Sequence, residues 1–116
     1  IVGDSSILEN KTAIICDDMC DTGGTLTKCI NILEKYGVSE VICFITHGIF
    51  SEPAITNINS CNILTKIVTI NTIPQTQNIN KSNKIVELDC SNLMTYVINC
   101  LIHGGSISEI FTKKYS

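Results

Sequence analysis

The 116 residues contain no arginine and no tryptophan, and only two prolines and two histidines. Without a guanidinium group, any bidentate grip on a phosphate or carboxylate has to come from another chain or another segment. All eight basic residues are Lys, and 11 acids outnumber them to leave a net charge of −3. No basic face can be assembled from that balance, which excludes nucleic-acid binding through phosphates. Long apolar runs are lacking as well. Asn, Thr, Lys or Asp interrupts them every few positions, and none approaches the roughly 20 residues of a membrane span. Charge is low at 16%, too low for a solvated, disordered chain. The 44% of hydrophobic residues suffices for one packed core, and this length serves a single domain.

Cysteine is plentiful, with seven residues at 16, 20, 29, 43, 61, 90 and 100, most of them inside apolar runs. An odd number placed this way reads as buried, reduced thiol in a cytoplasmic protein. Cys16 and Cys20 have no second close pair and no His beside them, so they read as small hydrophobes and not as half of a zinc site. The chain opens on Ile1 without Met, as a piece of a longer protein would.

Thr12 to Cys16 is a short apolar run ending in Asp17-Asp18, the pattern of a strand buried on both faces of a parallel sheet. Apolar residues from Leu26 to Tyr36 recur at helical spacing before Gly37, which predicts a helix over Thr25 to Tyr36 with a glycine C-cap. Glu40 to Thr46 is a second strand, and the three elements make a right-handed βαβ unit. Further on, the sequence predicts a short helix from Pro53 to Ile58 and a strand from Lys66 to Ile70. An exposed loop from Pro74 to Asn83 and a strand from Ile85 to Leu88 follow. A helix through Leu93 and Ile102 stops at Gly104-Gly105, and a short amphipathic tail runs from Ile107 to Phe111. This alternation implies an α/β domain with a mostly parallel sheet. Ligands of such sheets sit at the carboxyl ends of the strands, which places 17–25 and 46–51 on one rim.

The informative segment runs from Ile14 to Thr25. Gly23 and Gly24 leave room for backbone N–H groups to approach an anion, Thr22 and Thr25 add hydroxyls, and the following helix presents its positive end. A phosphate can be cradled here without Arg or Lys. Asp17 and Asp18 would repel that phosphate, so they face another part of the ligand, either hydroxyls or a metal. Phosphate at one end and a vicinal diol at the other describe a pentose phosphate. No Gly-Lys-Ser/Thr is present, and the three glycines of a dinucleotide fingerprint are missing, which sets aside both of those loops.

The stretch Asp17 to Leu26 resembles the phosphoribosyl pyrophosphate loop of the type I phosphoribosyltransferase fold. Ile1-Val2-Gly3-Asp4, Thr46 to Ser51, Pro53-Ala54-Ile55, Asn71 to Pro74 and Ser106 to Phe111 resemble, in order and spacing, the C-terminal part of the ribose-phosphate pyrophosphokinase family. The resemblance implies a three-layer α/β fold around a mostly parallel sheet, incomplete in this chain, with 1–116 as a C-terminal phosphoribosyltransferase-type domain. It implies a kinase that transfers diphosphate from ATP to the 1-hydroxyl of ribose 5-phosphate with Mg²⁺, giving phosphoribosyl pyrophosphate and AMP. It also implies a homo-oligomer, either a dimer or a hexamer assembled from dimers. Asp17 and Asp18 would bind the ribose hydroxyls, and Asp21, Thr22, Gly23, Gly24 and Thr25 the 5-phosphate. Ser106 and Ser108 resemble residues of a regulatory phosphate site between subunits.

The catalytic Lys/Arg loop and ATP-binding residues of that family are expected outside this chain, which would hold ribose 5-phosphate without catalysing alone. The sequence departs from the family at Glu52, where Gly is usual, and at Asn99 and Cys100, which replace an arginine pair. His47 reads as structural at a strand end and His103 as a helix cap. Two rival readings use the same loop: a non-catalytic regulatory homologue, and a phosphoribosyltransferase with pyrophosphate as leaving group. The second leaves 46–51 and 106–111 unexplained.

Overall fold

A computed structural model describes residues 4–112 of the chain; the Ile1-Val2-Gly3 part of the first motif lies outside them. After a 3₁₀ turn at Ser5–Leu8 come β1 (Thr12–Cys20), α1 (Gly24–Lys35), β2 (Glu40–Gly48), α2 (Ala54–Ser60) and β3 (Leu64–Ile70). Then follow α3 (Thr76–Ile79), β4 (Ile85–Leu88), α4 (Ser91–His103) and α5 (Glu109–Thr112). The four strands form one sheet in the order β1-β2-β3-β4, every neighbouring pair parallel. The α/β class and parallel sheet expected from the alternation of apolar runs are therefore those observed.

The register aligns side chains into rows across the sheet. Ile15, Cys43, Ile67 and Ile85 form one row, and the last three are buried. Ile30 of α1 and Ala54 and Ile58 of α2 complete the core on that face. Each large aliphatic side chain buried this way contributes roughly 1.5–3 kcal/mol. Helix α1 ends where Gly37, at φ 80°, turns the chain back so that the Val38 N–H reaches the Leu33 carbonyl at 3.2 Å. That left-handed backbone is open to glycine at little cost.

Four expectations are revised. β1 does not stop at Cys16: its ladder to β2 continues through Met19↔His47 and Cys20↔Gly48, because backbone pairing is indifferent to the acids it carries along an exposed edge. The stretch from Pro74 to Asn83 is largely exposed, as expected, but it is not all loop: it contains α3 and buries Gln75 and Ser82 completely or nearly so. Of the seven cysteines, all free, Cys16 and Cys29 are exposed, Cys90 and Cys100 are half-buried, and Cys20, Cys43 and Cys61 are buried. Finally, the strands are not covered evenly. On the face opposite the core, Ile14, Phe44 and Leu88 are 65%, 44% and 49% exposed, and α4 sets no residue in the core.

Candidate functional site

At the carboxyl end of β1 lies a cleft of about 330 Å³, lined by the continuous segment from Asp17 to Leu26 together with Ile45. All seven residues expected to hold the sugar phosphate, Asp17, Asp18, Asp21, Thr22, Gly23, Gly24 and Thr25, line this one cavity. Ser106 and Ser108 do not. They pair with each other in the turn before α5, Oγ to Oγ at 2.6 Å.

The cleft takes its shape from the backbone. Cys20 is the last residue of β1, and its carbonyl accepts from the N–H groups of Ile49 and Phe50 at 3.0 and 3.1 Å. These bonds tie the end of β1 to the end of β2. A Cβ on Gly48 would lie 2.5 Å from Phe50 Cε2, so this rim position is closed to larger residues while the Phe50 ring stays buried. After Cys20 the chain turns through Asp21 and Thr22 to Gly23, which sits at φ 74° as the N-cap of α1. The Gly23 carbonyl accepts the first helical bond, from the Thr27 N–H at 2.9 Å, and a second from Thr27 Oγ1 at 2.8 Å.

The N–H groups of Gly24, Thr25 and Leu26 precede that first bond and have no intrahelical acceptor. No side chain caps them. They give one wall of the cleft a cluster of free donors at the positive end of a 12-residue helix, an arrangement that favours an anion. The strand end that lines the same cleft is acidic. Asp17 and Asp18 occupy successive strand positions, whose side chains leave on opposite sides of the strand, and Asp17 Oδ1 accepts from the Asp18 N–H at 2.9 Å. Cys20, also in the lining, is buried and neutral: burial raises its thiol above the ordinary range, the Asp17 charge adds to the shift, and the Gly23 N–H opposes it.

Among the described residues no three His, Cys, Asp or Glu side chains converge on a metal site. Asp17 and Asp18 supply hard oxygen donors of the kind Mg²⁺ takes one or two at a time, alongside the oxygens of a phosphorylated substrate. That chemistry fits an ion arriving with its substrate, not one caged by protein.

His47 lies next to this rim but does not line the cleft. Its Nδ1 meets Thr72 Oγ1 at 2.9 Å, and the same hydroxyl donates to the Thr46 carbonyl at 3.3 Å, a structural arrangement. His103 is exposed in the last turn of α4.

Two residues that the sequence did not single out hold the rim. Gln75, fully buried, donates Nε2 to the Gly48 carbonyl at 2.6 Å and the Ile73 carbonyl at 2.9 Å, and accepts from Asn78 Nδ2 at 2.8 Å. Its N–H donates to the Glu87 carboxylate at 2.6 Å. Asn57, on α2, donates Nδ2 to the Thr22 carbonyl at 2.9 Å. Neither stands in a motif, and both act on backbone carbonyls brought near only by folding.

Comparison with known proteins gives concordant matches. Residues 1–112 match the family described as the phosphoribosyl synthetase-associated domain. Ribose-phosphate pyrophosphokinase 3 of Saccharomyces cerevisiae is 41% identical over 115 residues, covering 99% of this chain and 34% of that protein. A ribose-phosphate pyrophosphokinase of Marinomonas sp. is 36% identical over 111 residues, covering 96% of this chain and 34% of that protein. The crystal structure of phosphoribosylpyrophosphate synthetase from Mycobacterium smegmatis superposes with a TM-score of 0.79 at 33% identity, over 90% of this chain and 33% of that one. The chain thus spans about a third of the length of these relatives.

Proposed function

The chain belongs to the phosphoribosyl synthetase-associated domain family, and from that membership we propose that it is the C-terminal, ribose-5-phosphate-holding part of a ribose-phosphate pyrophosphokinase. One observation carries the reading: a single cleft is lined both by the uncapped first turn of α1 and by the strand end that carries Asp17 and Asp18. The N–H groups of Gly24, Thr25 and Leu26 take the 5-phosphate, with the Thr22 and Thr25 hydroxyls and the Asp21 turn closing around it. Asp17 and Asp18 accept from the ribose hydroxyls, which orients the sugar.

In the reaction proposed, the 1-hydroxyl oxygen attacks the β-phosphorus of ATP and the bond to the α-phosphate breaks. AMP leaves, and the hydroxyl proton is released. Mg²⁺, held by Asp17 or Asp18 together with substrate oxygens, would neutralise charge on the transferred group. What these residues supply is orientation of the acceptor, a large share of the barrier for a bimolecular transfer. The donor side belongs to the two-thirds of the relatives' length that this chain does not match.

Gly24→Val provides the test. A Cβ at Gly24 meets only Thr22 Oγ1, at 3.8 Å, so the fold accommodates the larger side chain while the cradle is narrowed. Calorimetric titration with ribose 5-phosphate and Mg²⁺ is expected to show binding by the wild-type chain and its loss in Gly24→Val, with the thermal midpoint little changed. Equal binding by both chains would remove the cleft from consideration.

A further inference from the structure

The peptide unit between Thr22 and Gly23 is held by α2. Its carbonyl accepts from Asn57 Nδ2 at 2.9 Å, and its Gly23 end packs against Ala54 and Asn57 of α2. A trans peptide is a rigid plane with carbonyl and N–H on opposite edges, so these two contacts fix its orientation.

The orientation matters because a carbonyl oxygen is the negative end of its dipole. Free to turn into the cleft, the Thr22 oxygen would stand beside any bound anion. Drawn toward α2, it is kept away from the donors of Gly24, Thr25 and Leu26. The turn is also seated against α2 by contact: a Cβ on Gly23 would lie 3.7 Å from Ala54 Cα and 3.8 Å from Asn57 Cβ.

Asn is among the weaker helix formers, yet it occupies the middle of this seven-residue helix. It directs its donor outward, to another element. We infer that Asn57 is a positioning residue for the anion cradle, holding the Thr22 carbonyl out of the cleft so that the first turn of α1 presents only N–H groups. The inference rests on the reading of that cleft as a phosphate site. It adds α2, a separate element, to the binding machinery.

The test compares wild-type chain, Asn57→Ala, Asn57→Asp and Gly24→Val by calorimetric titration with ribose 5-phosphate and with inorganic phosphate. Thermal midpoints and amide hydrogen exchange at Thr27 are measured in parallel. Both Asn57 variants lack the donor, and each is expected to weaken both ligands about five- to tenfold, in line with the loss of one hydrogen bond. Exchange at Thr27, whose N–H is held by the Gly23 carbonyl of the same turn, should speed up. The thermal midpoint should hold, because the exposed Thr22 carbonyl can turn to water.

Affinity in Asn57→Ala equal to wild type, while Gly24→Val loses binding, would overturn the role of Asn57 and leave the phosphate site standing. Weakened binding that appears only with a lowered thermal midpoint would make Asn57 a structural residue and overturn the inference too. A wild-type chain that binds neither ligand would overturn the phosphate site, and the inference with it.

Discussion

Cys43 shows how a single side chain is governed by its neighbours. It lies in the central row of the sheet with no exposed surface, and burial pushes its thiol up to about 12 from an ordinary 9.0. The neutral form is favoured in the folded chain, whereas the unfolded chain ionises at the ordinary value. The resulting stability is fully present below pH 9 and erodes as pH rises from there toward 12. Urea unfolding at pH 7.5 and pH 10 should show the wild-type chain losing about 1 kcal/mol through this group. Cys43→Ala, less stable at the lower pH because of the cavity, should lose less on the same rise. An identical pH dependence in both chains would refute the assignment. Gln75 follows the same logic with hydrogen bonds: a buried amide is tolerated because both its donor and its acceptor are satisfied.

At the scale of elements, the junction of β4 with α4 is set by polar groups. Asp89 Oδ1 accepts from the Ser91 N–H at 2.9 Å, from Ser91 Oγ at 2.5 Å and from Asn71 Nδ2 at 2.9 Å. Asn71 in turn accepts from the Cys90 N–H at 2.9 Å. The Ser91 side-chain bond, then its backbone bond, then Asn71 hold the Asp89 carboxyl below its usual range. A depressed folded value means that the stabilisation is present above the unfolded pKa near 4 and is lost as pH falls through the folded one. Since α4 places no residue in the core, its start depends on these bonds more than on packing. Asp89→Ala at neutral pH should therefore speed amide exchange over 91–95 and lower the helical circular dichroism, and acidification of the wild type should do the same. Unchanged exchange in the variant would show that α4 is held by other means.

For the whole molecule, the two faces of the sheet differ in what covers them. Ile67 lies on the face packed by α1 and α2 and is fully buried, whereas Ile14, on the other face, is 65% exposed. Urea midpoints should separate them: Ile67→Ala is expected to cost about 3 kcal/mol, and Ile14→Thr no more than about 0.5 kcal/mol. Equal costs would contradict the one-sided core. The extents of 52 × 35 × 23 Å and the radius of gyration of 17.0 Å agree with it, since a compact chain of this length has a radius near 13 Å. Among the described residues, no helix is long and apolar enough to cross a membrane.

The sequence by itself determined what depends on local order along the chain. The four strands, α1 with its Gly37 stop, and the glycine turn between them are legible because apolar runs, glycine turns and the helix start are written in consecutive residues. Tertiary structure alone decided the rest. The extension of β1 through Asp17 and Asp18 depends on a partner strand that supplies ladder bonds irrespective of side chain. The burial of Gln75 requires the Gly48 carbonyl, 27 positions away, and the Asn57 contact requires the Thr22 carbonyl, 35 positions away. Such partners are chosen by chain topology, through backbone groups that every residue carries, and so they leave no signature in the order of side chains.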